Sequence, residues 1–191
     1  LELSLLSTIP GRSFHKSMTD QGRPLAQLEM ATSQIKAARQ YTKILLDDID
    51  QESWYEQPVD GINHVAWQVG HVAMAQYGLA LYRQRGRKES DRELIPREFL
   101  RMFAKDSSPL IDVDLRPEPA EIRDIFDRVH EEVLRELETY PIEELETPVD
   151  FPYVGFSNKL GSLLMSAHHE MLHAGQIGML RRLLGKPPIE R

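Results

Sequence analysis

Between Asn63 and Gly86 the chain reads HVAWQVGHVAMAQYGLALYRQRG, a helix-length run with apolar residues on nearly every face. A helix that is apolar all round has to be enclosed by other elements. This segment is therefore the predicted centre of the fold, and the rest of the chain must wrap it. Asn63 is a plausible N-cap and Gly86 a plausible stop, with the helix reaching about Arg85. It is no membrane span, because Gln68, His71 and Gln76 interrupt it, and no other window approaches the roughly 20 apolar residues a span needs.

Three further stretches can do the wrapping. From Pro24 to about Ile49 apolar residues recur at Leu25, Leu28, Ala31, Ile35, Ala38, Thr42, Leu45 and Ile49, the 3.6-residue period of an amphipathic helix. Pro119 to Tyr140 places Ile122, Ile125, Phe126, Val129, Val133 and Leu137 on one face and charges on the other. The last helix is expected from about Lys159 to Leu184, capped by Ser157 or Asn158 and stopped by Gly185 before Pro187 and Pro188. Arg181 and Arg182 suit the negative end of its dipole. A shorter helix is predicted from Arg92 to about Ala104, with Pro96 in its first turns. SSPLIDVDLRPEP and ELETPVDFPYVGFSN read as irregular loops, and no strand is expected.

The architecture is then all-α, four long helices and an extra short one in a four-helix bundle. Residues 1–22, rich in Ser, Thr, Gly and Pro without a sustained period, read as an N-terminal arm, and residues 23–191 as one helical-bundle domain. His15 in the arm reads as a surface histidine. Residues 1–17 lack the basic and apolar regions of a signal peptide; a cytoplasmic location is the default expectation.

A net charge of -7 argues against a nucleic-acid surface, and the basic run Arg83 to Lys88 reads as a solvated helix end. The chain has no cysteine. Disulfides, thiolate metal sites and a cysteine nucleophile are thereby excluded, and a transition metal must be held by histidine and carboxylate.

Histidines do occur in a suggestive pattern. His169 and His173, in HEMLH, are about 40° apart around a helix and about 6 Å along it, close enough to converge on one ion. Two neutral imidazoles on an inward face need partners for their ring nitrogens, which a metal or mutual hydrogen bonds can supply. His71 lies in the apolar run VAWQVGHVAMAQ, where a lone imidazole has no evident purpose, and Gly70 beside it permits close approach of another element. One histidine from the central helix and an i, i+4 pair from the last would form a three-histidine site with open positions. His64 is about 10.5 Å from His71 along the helix and reads as structural, near the pocket mouth. His168 points onto a neighbouring stripe, and His130, flanked by Glu131, reads as exposed.

HEMLH also matches the H-E-x-x-H signature of zinc proteases, in which the Glu is the general base. The extended form requires Gly at position 176 and His at 179, where this chain has Gln176 and Met179. Beyond His173 only Glu190 offers a carboxylate, in a tail after two prolines. The protease reading fails on these grounds. Glu170 reads as a solvated helix residue, with a possible role as base; Tyr77, His64 and Gln176 are other polar candidates for the pocket. Trp67, Tyr153 and Phe156 are candidates for its walls.

W-Q-V-G-H from Trp67 to His71, followed by H-x-x-x-H-A-G-Q-I-x-x-L-R-R-x-L-G from His169 to Gly185, resembles the DinB/YfiT-like superfamily, over roughly residues 24–186. The resemblance implies a four-helix bundle in an up-down-down-up arrangement and a divalent ion, commonly zinc or nickel, on His71, His169 and His173. It also implies close packing plus a polar group at Gly175 to Gly178, and a homodimer. Some relatives look like metal-dependent thiol transferases or isomerases that use low-molecular-weight thiols, and others resemble hydrolases. The expected function is thus a thiol-dependent S-transferase or hydrolase acting on a small molecule. The alternatives are a non-catalytic metal-binding stress-response module and a metal-free scaffold whose histidines bond to one another.

Overall fold

A computed structural model of the chain describes residues 22–109, 114–153 and 156–189. The N-terminal arm, His15 and Glu190 lie outside the described residues, although Gly22 already belongs to the first helix. The element order is α1 (Gly22–Leu46), a 3-10 turn (Gln51–Tyr55), α2 (Val65–Tyr77), a π-helical segment (Gly78–Tyr82) and α3 (Arg83–Arg85), one further turn of the same rod. Then come α4 (Asp91–Leu94), α5 (Arg97–Met102), α6 (Pro119–Leu137), a second 3-10 turn (Ile142–Glu144), a hairpin of β1 (Pro148–Tyr153) and β2 (Phe156–Asn158), and α7 (Lys159–Leu183).

Among the described residues the fold is all-α apart from that hairpin. α2 is the central element: eleven of its residues, Val65 to Ala73 together with Gln76 and Tyr77, are buried. α7 packs along α1 and against α2, and α2 packs along α6. The apolar faces read from the periodicity are the faces that meet. In α6, Ile122, Ile125, Phe126, Val129, Val133 and Leu137 are all buried, as are Leu28, Ala31, Ile35, Ala38 and Leu45 of α1. Each valine, leucine, isoleucine or phenylalanine among them contributes about 1.5–3 kcal/mol on leaving water. Leu25, at the start of α1, stays exposed.

Several boundaries differ from expectation for identifiable reasons. His64, not Asn63, caps α2, because its Nδ1 accepts the Trp67 N–H at 3.0 Å. α1 stops at Leu46 instead of Ile49, before Asp47 and Asp48, whose charge opposes the helix dipole. The short helix expected from Arg92 is two: Ile95, preceding Pro96, is forced into an extended conformation (φ -147°, ψ 108°), and α5 restarts after the proline. α6 ends before Tyr140, which precedes Pro141 and so disfavours helix for the same reason.

The segment expected to be irregular before α7 forms an antiparallel hairpin, with Pro148 opposite Asn158 and Tyr153 opposite Phe156. Val149, Phe151, Tyr153 and Phe156 favour extended backbone, and a two-stranded ribbon is all edge, so its prolines interrupt no inner ladder. Asn158 then caps α7 by accepting the Gly161 N–H at 2.8 Å. Gly86 and Gly185 close their helices with φ of 75° and 83°, a conformation that glycine adopts without steric cost.

Candidate metal centre

Two helices and one short connection build the site. His71 projects from α2, His169 and His173 from α7, and their ligand atoms lie within 4.8 Å of one another. The ring centroids are 5.2 Å apart for His71 and His169, 4.8 Å for His71 and His173, and 4.5 Å for His169 and His173. The three positions expected from sequence are therefore brought together.

Hydrogen bonds fix which nitrogens face the common point. His71 Nδ1 lies 2.7 Å from the Phe103 carbonyl oxygen, and His173 Nδ1 lies 2.6 Å from Gln68 Oε1. Both oxygens only accept, so each Nδ1 carries the proton and donates, leaving Nε2 with its lone pair free. This is the arrangement in which a ligating histidine is oriented by a partner on its other nitrogen. Burial holds His71 below the ordinary imidazole range. Burial, with the neighbouring His71, pushes His169 to about 4, and burial with both neighbours pushes His173 to about 3, against a side-chain hydrogen bond with Gln176. All three are neutral at pH 7, the form that binds a metal.

Gly70 makes the His71 bond possible. A Cβ at that position would fall 2.5 Å from the Phe103 ring, so only glycine lets the end of α5 press onto α2 and deliver the Phe103 carbonyl to His71. Trp67 stacks on the other side of His71, centroids 4.5 Å apart and planes within 10°, and its indole N–H donates to Ser107 at 3.0 Å. Imidazole, indole and glycine thus lock one another along a single face of α2.

A cavity of about 510 Å³ opens directly onto His71, His169 and His173. Its other walls are chiefly apolar, from Trp67, Met74, Leu79 and Tyr82. The π-helical segment forms one side of it. There the Leu79 carbonyl accepts two side-chain bonds, from Ser162 Oγ at 2.8 Å and Gln84 Nε2 at 2.8 Å. These side chains satisfy a carbonyl beside the widened turn, as such turns require.

The remaining polar candidates fall elsewhere. Glu170 is not solvated: it is 1% exposed and paired with Arg39 of α1, whose Nε donates to Oε1 at 2.8 Å. Lying about 100° around the helix from His169, it faces α1 while His169 faces α2. His64 bonds to the Pro109 carbonyl oxygen and caps α2, with no part in the site. Tyr77 donates to Asp91 at 3.0 Å. His130 is buried, not exposed, with Nδ1 3.3 Å from Gln76 Nε2, because α6 turns it toward the core despite its acidic neighbour. His168 is exposed, 6.0 Å from the Phe156 ring, which packs on Gly161 and does not line the cavity. The Tyr153 side chain lies outside the described residues.

Within the tetrapeptide from Gly175 to Gly178, Ile177 is buried and Gly178 approaches Leu45, whereas Gly175 faces open space and does not serve packing. Gln176 is exposed, yet it is the polar neighbour of His173. The residue that sequence reasoning passed over is Gln68. Its signal was present: a polar side chain one turn before His71 on a helix otherwise apolar.

A family model of the DinB superfamily matches residues 34–177, which includes all three histidines, all of α2 and α6, the second half of α1 and α7 as far as Ile177. No curated protein shows significant similarity to the chain.

Proposed function

The chain belongs to the DinB superfamily, and from that membership and its histidine geometry we propose a divalent-metal-dependent enzyme acting on a small molecule. The reaction is thiol-dependent S-transfer, with hydrolysis as the other chemistry open to such a site. One observation carries this reading: three neutral imidazoles converge at the floor of a cavity of about 510 Å³. His71, His169 and His173 would hold the ion, and zinc or nickel suits an all-imidazole donor set.

When bound, such an ion supplies a Lewis acid with positions left over for a thiol or water. The chain's own residues do the rest. Phe103 and Gln68 keep the Nδ1 protons of His71 and His173 in place, so both rings present Nε2. Trp67 and Met74 give the reacting group an apolar wall that limits water. Glu170 is committed to Arg39 and does not act as base.

A purely structural ion would call for a fourth protein ligand, and among the described residues the cluster has three members. That favours the enzyme over the non-catalytic metal-binding module. The same reading includes an up-down-down-up order of the four long helices, a homodimer and a cytoplasmic setting. Among the described residues, no helix is long and apolar enough to cross a membrane.

Metal analysis of untagged protein, followed by a screen of small thiols with electrophiles and of simple esters and amides, tests the proposal. Stoichiometric metal and metal-dependent turnover, both lost in His169→Ala, are expected. Bound metal with no turnover in any arm returns the protein to the non-catalytic module, and absence of metal removes the site altogether.

A further inference from the structure

A second cavity, of about 640 Å³, adjoins the first along α2, the π-helical segment and α5. The two share Met74, Gly78 and Tyr82 in their linings. Gly78 leaves the border open, since a Cβ built there would meet nothing within 4 Å. A ligand seated at the three histidines can therefore extend past Gly78 into the second chamber.

The charge along this path has one sign. Arg83 and Lys105 line the first chamber, and Arg87, Arg97 and Arg101 the second. No Asp or Glu among the described residues lines either, in a chain whose net charge is -7. Arg101 is paired with Glu98, but Arg83, Arg87, Arg97 and Lys105 form no ion pair among the described residues. Elsewhere in this protein arginines are routinely paired, Arg85 with both Asp91 and Glu136 being the nearest case.

Arg87 is the sharpest anomaly. Its Nε and Nη2 are buried with no hydrogen-bond partner among the described residues, and its guanidinium sits 6.0 Å over the Tyr77 ring at the wall of the second chamber. Buried donors on a charged group are costly to leave unmade, and an unsatisfied set in a cavity wall calls for an acceptor. A guanidinium fork matches carboxylate and phosphate oxygens.

We propose that the two chambers form one cleft for an elongated organic anion, with a carboxylate or phosphate group at Arg87 and Arg97. The ligand's apolar body lies along Met74 and Tyr82, and its opposite end reaches the three histidines. This rests on the metalloenzyme reading only for what happens at the histidine end. The anion subsite itself requires no ion.

The test uses metal-free full-length protein and three matched series of ω-phenylalkyl compounds of increasing chain length: carboxylates, phosphate monoesters and neutral amides. Binding is followed by calorimetry and by Trp67 fluorescence, since Trp67 lines the first chamber. At least one anionic series is expected to bind about tenfold or more tightly than the amides, with an affinity that falls as salt is raised. Arg87→Gln should abolish most of that preference, and Arg97→Gln, at the start of α5, should reduce it. Arg92→Gln, whose partner is the exposed Glu89, should leave it unchanged.

Which anion binds more tightly identifies the acidic group. Equal affinity for acids and amides, no binding in any series, or a preference that survives both arginine substitutions overturns the proposal. So does a preference that appears only after zinc is added, for then the ion and not Arg87 holds the anion. A protein that binds no metal yet keeps the arginine-dependent preference refutes the metalloenzyme and leaves the anion cleft standing.

Discussion

The carboxylate of Glu170 and the guanidinium of Arg39 meet inside the core, Oε1 2.8 Å from Nε and Oε2 3.2 Å from Nη2, with both side chains almost wholly buried. Arg39 also donates to Gln76 Oε1 at 2.8 Å and to the Phe126 carbonyl, while its guanidinium lies 3.3 Å over the Phe126 ring. One arginine thereby ties α1 to α2, α6 and α7. The residue that makes HEMLH resemble a protease motif is a structural anion on the face of α7 turned to α1 and away from the cavity.

Removing one member of such a pair leaves a buried charge without compensation, which costs about 3–5 kcal/mol. Glu170→Ala is expected to lose stability on that scale in urea unfolding, while the metal affinity of the folded fraction stays near wild type. The double substitution Arg39→Met, Glu170→Leu should be less damaging than Glu170→Ala alone. A Glu170→Ala protein of native stability would remove the pair from its assigned role.

Gln68 should matter to metal affinity although it touches no ion. Its Oε1 accepts the His173 Nδ1 proton at 2.6 Å and so selects the tautomer with Nε2 free. Loss of such an orienting partner weakens metal binding about 10–100-fold. Gln68→Ala is expected to show that decrease in competition with a chromophoric chelator, whereas Gln68→Glu, which preserves the acceptor, should retain most of the affinity.

These residues also mark where reading the sequence reached its limit. Helix faces and the i, i+4 histidine pair are local properties, and α6 buries every apolar position that its period puts on one side. His71 stood out because it lies in the middle of a largely apolar run. Glu170 could not be placed the same way, because its environment depends on Arg39, 131 residues earlier in the chain. His130 was obscured likewise: an adjacent glutamate suggested solvent, but burial follows the helix face and not the neighbour in sequence. The π-helical segment left no sequence trace, since widening of a turn is decided by what caps its carbonyls, here Ser162 and Gln84.

Gly70→Ala should damage fold and site together. The added Cβ would meet three ring carbons of Phe103 at 2.5 to 2.6 Å, and the ring is boxed in beside Phe99, 4.5 Å away. Overpacking of this kind costs about 1–3 kcal/mol. It also pushes the Phe103 carbonyl away from His71, so metal affinity should fall along with the unfolding midpoint. Phe103→Leu in the same protein is expected to recover part of the stability.

The pH dependence of stability can be assigned in part to a group outside the histidine triad. Burial, with the positive charges of Arg39, Lys43 and Lys36 outweighing that of Asp127, pushes His130 to about 3. Unfolded, an imidazole titrates near 6.5. Between these values the unfolded chain binds a proton at this position that the folded protein does not, so stability declines as pH falls below 6.5 toward about 3. Over the step from pH 7 to pH 5 the contribution is about 1–2 kcal/mol. His130→Gln cannot take up that proton, and its urea midpoint should drop less across the same step than that of the wild type. Parallel declines in the two proteins would mean that His130 is not held neutral by its surroundings.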